Sequence, residues 1–301
     1  LGLPLIAQGT LVGAMLVDHT GLEGVSEQRR LNILTGIADQ CALAIQTAQL
    51  QEEALAVRSF DREMELARNI QLSLLPEKPP EIEGWDIAAY YRPARLVGGD
   101  FYDFIPLSDG KYAFVIADVA DKGVPAAMFM TVCRTVIRAV ASPQRTPLET
   151  LQRVNELIVR DNRSELFFTG WYGILDSETG MLAFSSGGHN PPLLIRANGQ
   201  FQELRLKGIA LGLFDSVKLN EATLMLEPGD VLLAYTDGLT EARREDMTEF
   251  GEADLYINAV KSRGKSAQLI VDKIVTSVDR FTSGQPAFDD LTLFVLKRGD
   301  Q

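Results

Sequence analysis

The 301-residue chain predicts an α+β fold, an α-β-β-α sandwich of two antiparallel sheets flanked by helices and preceded by a long linker helix. Three observations carry this. Short apolar runs recur between turn signals such as Ser108-Asp109-Gly110, as in antiparallel hairpins. Segments with helical spacing come in two groups rather than after every strand, which argues against a parallel α/β sheet. No Gly or Pro occurs between positions 37 and 75, so one helix can run uninterrupted there.

Residues 3–7 and 11–17 read as a hairpin split at Gly9. Ser26 suits a helix N-cap. Leu31, Leu34, Ile37, Ala38, Cys41 and Ile45 follow at helical spacing. Leu43, Thr47, Leu50, Ala54 and Val57 then step by 4 and 3, as a coiled-coil seam does. After one short step, Phe60, Met64, Ala67, Gln71 and Leu74 resume the alternation. With charges such as Glu52, Arg58 and Glu63 elsewhere around the helix, this predicts a parallel dimeric linker. The alternative is one amphipathic helix packed on its own domain. Pro76, Pro79 and Pro80 end it.

Beyond the prolines the expected strands are 87–92, 101–107 and 111–119, the last two forming a hairpin. Pro125 suits the first turn of a helix reaching about position 141. Thr146-Pro147-Leu148-Glu149 has capping-box spacing and opens a helix to about 162. Runs 167–175 and 181–185 read as a second hairpin. Strands follow the GGHNPP segment and at 201–204. Runs 222–226 and 231–235, around Glu227-Pro228-Gly229-Asp230, read as a third hairpin. Helices are expected at 253–262 and 267–281, and a final strand at 291–296.

Composition is that of a globular protein, 46% hydrophobic and 23% charged. A net charge of -12 argues against binding nucleic acid or a membrane surface through bulk electrostatics. No apolar run approaches the roughly 18 residues of a membrane span. The opening LGLPLIAQG lacks Met and a basic stretch, so it reads as part of a longer chain rather than a signal peptide. Cys41 and Cys133 lie in apolar helical patterns, as buried thiols of a reducing cytoplasm do. With His19 and His189 the only histidines, a His-rich zinc site is excluded.

The acids are the informative residues. Asp100 precedes one strand of the 101–119 hairpin and Asp118 ends the other, so the register sets them side by side. A carboxylate closing an apolar strand is costly to desolvate, and a second carboxylate helps only if a cation lies between them. Asp237-Gly238 ends another apolar run, and Asp289-Asp290 precedes the last. Ligation by Asp without His or Cys selects hard cations, Mg²⁺ or Mn²⁺. Two such ions about 4 Å apart can activate a water and clamp a phosphoryl oxygen. On the residues alone, a metal phosphohydrolase and a set of surface acids at strand ends both stay open.

The order and spacing of VGGDFYDF, IADVADKGVPAAMFM, SSGGHNPPLL, GIALG, LEPGDVLLAYTDGLTEA and FDDLTLFVL resemble the metal-dependent PPM (type 2C) serine/threonine phosphatases, SpoIIE/RsbU branch. ARNIQLSLLP resembles the helical segment preceding the catalytic domain there, and the resemblance covers about residues 60 to 297. PLIAQGTLVGAMLVD followed by a helix is similar to the C-terminal end of a GAF sensor domain. The resemblance implies three parts: a partial GAF domain at 1–48, a helical coiled-coil linker at 49–78 and a phosphatase domain at 79–301.

It also implies two Mn²⁺ or Mg²⁺ ions and a bridging water that attacks phosphorus in line. Asp118 would bridge both ions. Asp237 and the Val119 carbonyl would complete one site, and Asp100 and Asp289 the other, with Asp290 as the alternative ligand. The eukaryotic branch has a His just after the bridging Asp as general acid. Ala120 and Asp121 follow Val119 here, so no general acid is assigned. The implied substrate is a phosphoserine or phosphothreonine on a STAS-type anti-sigma-factor antagonist, in a cytoplasmic, homodimeric, sensor-regulated enzyme.

Lesser candidates are Arg95 for the substrate phosphate, Asp103 in support of the ligands, Lys122 beside the cleft, His189 and Asn190 as loop structure, and 241–249 as a solvated helix or flap. A rival reading is a catalytically silent module that binds a partner through the same fold. A third, a nucleotide cyclase, rests on Gly98-Gly99-Asp100, but that signature should continue with an acid and Phe rather than Phe-Tyr-Asp.

Overall fold

A computed structural model describes residues 1–18 and 26–299; His19 lies outside them. The chain divides into two compact units, Leu1–Leu66 and Ala67–Gln301. In the first, β1 (Gly2–Ala7) and β2 (Thr10–Leu16) pair antiparallel, as the hairpin expectation required. Leu5 and Ala7 close a small core with Ala38 and Ala42 of helix α1 (Glu27–Leu74). Cys41 is half-buried rather than buried, and Cys133 is fully buried. Leu43, Leu50, Val57 and Phe60 of the heptad-like pattern are exposed.

The last turns of α1 belong to the second unit, which begins well before the expected start at 79. Gln71 is buried there, and its side chain both donates to Gly98 O (2.7 Å) and accepts from Gly98 N (3.1 Å). The lower end of the seam thus has an intramolecular partner.

The second unit runs β3 (Trp85–Arg92), β4 (Phe101–Pro106), β5 (Lys111–Val119), α2 (Val124–Val140), α3 (Pro147–Asp161), β6 (Phe168–Asp176), β7 (Met181–Gly187), β8 (Leu193–Ile195), β9 (Phe201–Glu203), β10 (Glu221–Met225), β11 (Val231–Tyr235), α4 (Asp237–Thr240), α5 (Gly251–Ser262), α6 (Ala267–Thr282) and β12 (Leu291–Arg298). The capping box of α3 is present, with Thr146 accepting from Glu149 N and Glu149 accepting from Thr146 N. The short α4 is an element that periodicity did not anticipate.

One five-stranded sheet has the order β10-β7-β6-β5-β4 and the other β3-β12-β11-β8-β9. The pairings within both are antiparallel. Alternation along each strand separates three apolar layers. Ala113, Val115 and Ala117 of β5 face α2 and α3. Phe114 and Ile116 meet Leu232, Ala234 and Phe294 between the sheets. Val231, Leu233, Leu293 and Val295 face α5 and α6. This is the expected sandwich flanked by helices.

The third expected hairpin does not form. β10 pairs with β7 in one sheet, and β11 pairs with β8 and β12 in the other. The turn between them crosses from sheet to sheet. It is held by buried Asp230, which accepts from Glu227 N (2.8 Å) and pairs with Arg196 (2.6 Å). A turn signal marks a reversal; which edge the next strand joins is decided by long-range pairing.

Asp103 also falls on the helix-facing side, with Phe101 and Ile105. Its buried carboxylate takes Arg138 at 2.7 Å and Arg134 at 3.1 Å, pinning α2 to the sheet. Removing one partner of such a group strands the other charge, so Asp103→Ala is expected to cost about 3 kcal/mol. Chemical denaturation measures this, and a cost below about 1 kcal/mol would overturn the clamp.

Candidate metal centre

The acids meet at one end of the layer between the sheets. Phe114 and Ile116 lie in that layer, so the next residue of the same parity, Asp118, does too. On β4, Phe104 and Tyr102 lead to Asp100. On β11, Leu232 and Ala234 lead to Thr236, and on β12, Leu296 and Phe294 lead to Thr292 and Asp290. The apolar layer therefore ends in a polar layer fed by both sheets.

Asp100 is the deepest of the group, 2% exposed. Its Oδ2 accepts from the Thr236 hydroxyl (2.7 Å) and the Thr292 hydroxyl (2.6 Å). These two threonines are site residues that sequence reading missed; strand parity from Phe294 and Ala234 is the signal that finds them. Register sets Phe101 opposite Ala117, bringing Asp100 beside Asp118 within hydrogen-bond reach.

The neighbouring acids divide sharply. Asp290 accepts from Ala94 N (2.7 Å) and Gly99 N (2.6 Å). It thus fastens the Gly-Gly-Asp segment to β12. Asp289, one residue earlier and of opposite parity, instead pairs with Lys122 at 2.7 Å. Lys122 also donates to Phe288 O (2.9 Å), so it does stand at the acid cluster.

Burial pushes the Asp100 carboxyl well up, and Asp118 and Asp290 push it further; the Thr292 and Thr236 hydroxyls work the other way. Burial, then Asp237, raises Asp118 to about 7, with Asp289 and Asp290 adding to the rise. Asp237 is raised by burial, Glu241 and Asp289. Mutual repulsion of this kind makes a cation a favourable addition.

Among the described residues no three acid, His or Cys side chains converge at metal-ligand distances. Asp100 is engaged by two hydroxyls, Asp289 by an ammonium and Asp290 by backbone amides. The donor set nevertheless fits hard divalent ions, being oxygen throughout. Two glycines keep it open. A Cβ on Gly99 would sit 2.9 Å from Val119 O, and one on Gly238 would sit 3.1 Å from the Asp289 Cβ. The Gly99 backbone thus runs against the Val119 carbonyl, and the Gly238 backbone against Asp289 and Asp290.

Of the lesser candidates, Asp103 lies apart from the acids, clamped by Arg138 and Arg134 in the helix-facing layer, whereas His189 touches Thr169, the residue paired with Asp118 across β5 and β6. His189 is 7% exposed, with Nδ1 2.8 Å from the Thr169 hydroxyl, and burial lowers it to about 4. A neutral, enclosed imidazole suits loop structure. The 241–249 stretch follows α4 as an irregular loop in which Arg243 pairs with Glu249 at 2.8 Å. Arg95 is exposed, near Gly123.

A family model described as Stage II sporulation protein E (SpoIIE) matches residues 108–299. The chain belongs to the SpoIIE family. Asp118, Asp237, Asp289 and Asp290 lie inside the matched range, and Asp100 just ahead of it. Protein IcfG of Synechocystis sp. (strain ATCC 27184 / PCC 6803 / Kazusa) is 31% identical over 264 residues, 78% of this chain and 41% of IcfG. This chain therefore spans less than half of that relative's length. Phosphoserine phosphatase RsbU of Bacillus subtilis (strain 168) is 30% identical over 237 residues, 78% of this chain and 70% of RsbU. The SiaA-PP2C domain of Pseudomonas aeruginosa superposes with a TM-score of 0.72 at 22% identity, over 81% of this chain and 99% of that one. At that identity it establishes a shared PP2C fold.

Acids raised in the folded state bind protons that the unfolded chain has released, so stability falls as pH rises through the interval between the two pKa values. For Asp118 that interval runs from its ordinary carboxylate value of 3.8 to about 7. Metal-free protein is thus expected to melt several degrees lower at about pH 8 than at about pH 5. Saturating Mn²⁺ should reverse the order. Thermal melts with and without chelator check this, and a flat profile in chelator would contradict it.

Proposed function

We propose that the chain is a divalent-metal-dependent phosphatase acting on phosphoserine or phosphothreonine of a regulatory protein. The observation that most supports this is that Asp100, Asp118, Asp237 and Asp289 come from both sheets to one end of the sandwich, near enough that Asp237 and Asp289 raise the Asp118 carboxyl. PP2C-type phosphatases are metal-dependent. The relative RsbU carries the name phosphoserine phosphatase, which supports the substrate class.

In this reading Asp118 serves both ions. Asp237 and Asp289 hold one, and Asp100 with the Val119 carbonyl the other. When bound, a pair of Mn²⁺ or Mg²⁺ ions would supply an activated water and neutralise charge on the phosphoryl oxygens. The chain's own contribution is positional. Thr236 and Thr292 fix the Asp100 carboxylate, Asp290 fixes the segment carrying it, and Lys122 balances Asp289. The ligands must be deprotonated to bind, so metal affinity weakens as pH falls through the raised value of Asp118.

The resemblance suggests a phosphorylated STAS-type anti-sigma-factor antagonist as substrate and a GAF-type sensor ahead of the linker. It also suggests a cytoplasmic setting; no helix among the described residues is long and apolar enough to cross a membrane. The exposed Leu43, Leu50 and Val57 of α1 support a homodimer through the linker. A catalytically silent binding module is disfavoured because every carboxylate of the donor set is retained.

Hydrolysis of a chromogenic aryl phosphate should require Mn²⁺ or Mg²⁺ and stop with chelator. Asp118→Ala or Asp237→Ala should lower it about 100-fold or more with the circular dichroism unchanged; full activity in either would sink the assignment. Leu50→Asp should shift the sedimentation of the chain from dimer toward monomer, and an unaltered dimer would overturn the linker reading.

A further inference from the structure

Beside the acid cluster lies a recess of about 610 Å³ of opposite character. Arg95, Lys122, Arg243 and Arg244 line it, with Glu245 the single acid. Four cations in one recess stand out in a chain of net charge -12. Three of them lie against aromatic rings. Lys122 Nζ lies 4.3 Å and the Arg243 guanidinium 4.2 Å from the centre of the Phe288 ring. The Arg244 guanidinium lies 4.0 Å from that of Phe281. Cation–π contacts hold each charge in place without cancelling it.

The four differ in what they already hold. Lys122 pairs with Asp289 and Arg243 with Glu249. Arg95 and Arg244, both exposed, form no ion pair among the described residues. Two uncommitted guanidinium groups thus flank the cation that touches the acid cluster. Guanidinium groups match planar carboxylates, bidentately where geometry allows.

We propose that this recess binds acidic side chains flanking the phosphorylated residue of the substrate protein, and that Arg244 is a specificity-determining residue. The inference rests on the phosphatase reading above. The scissile phosphate goes to the acid cluster once its cations are in place, and a neighbouring Asp or Glu of the same segment reaches Arg244 and Arg95. The recess meets the acid cluster through Lys122 and is lined by none of Asp100, Asp118, Asp237 and Asp289, so it selects among substrates by KM rather than by the chemical step.

The test uses the full chain with Mn²⁺ and two synthetic phosphoserine peptides, identical except for aspartates or alanines beside the phosphoserine. Wild type is expected to favour the aspartate peptide in kcat/KM about fivefold, through KM, and the preference should shrink as NaCl rises. Arg244→Gln should reduce the preference and Arg244→Glu should abolish or invert it. No preference in wild type, or a preference that survives Arg244→Glu, overturns the proposal. Fluorescence anisotropy with the same peptides reads the recess even without turnover, and equal affinities overturn it there too. Failure to hydrolyse either peptide or an aryl phosphate overturns the phosphatase reading instead.

Discussion

The structure depends on one costly act, the burial of Asp100 at the end of the apolar layer between the sheets. A carboxylate 2% exposed must be compensated. Compensation comes from across the layer, from the opposite sheet: the hydroxyls of Thr236 after β11 and Thr292 on β12, with the backbone beside Asp100 tied to Asp290. Each of these bonds holds only if the two sheets pack in one register. The aromatic contacts of Phe104, Phe114 and Phe294 supply that packing just behind the acids. The fold and the site are one arrangement read at two depths of the same layer.

That arrangement gives adjacent residues different duties. Asp289 and Asp290 are neighbours in sequence, yet strand alternation sends one toward Lys122 and the other onto the amides of Gly99 and Ala94. Asp100 and Asp103 are separated the same way, one into the layer between the sheets and one into the layer beneath α2. Chemically identical side chains become buried acid, backbone clasp and helix clamp according to which face of the pleat they leave. Burial and mutual repulsion raise the carboxyls of Asp100, Asp118, Asp237 and Asp290, an electrostatic cost that a divalent cation would offset.

Much of this was legible beforehand. The hairpin 101–119 set Asp100 beside Asp118 by turn length alone, and the apolar run ending at Asp237 and the one that Asp289-Asp290 precedes marked the other acids. What periodicity missed is equally specific. It made a hairpin of β10 and β11, which lie in different sheets. It passed over α4, Thr236 and Thr292. It extended the linker seam through Gln71, whose amide is engaged by Gly98. Each miss concerns a partner distant in sequence, where local pattern carries no information.

By itself the sequence determined the fold class, the element boundaries within a few residues, the oxygen-only donor set and the family. Those follow from local turns, alternation and motif order. Tertiary structure decided which acids share a layer, that Asp290 serves the backbone, and that four cations gather beside them. These depend on which strands become neighbours, and that is settled by burial of the whole apolar layer rather than by any one segment.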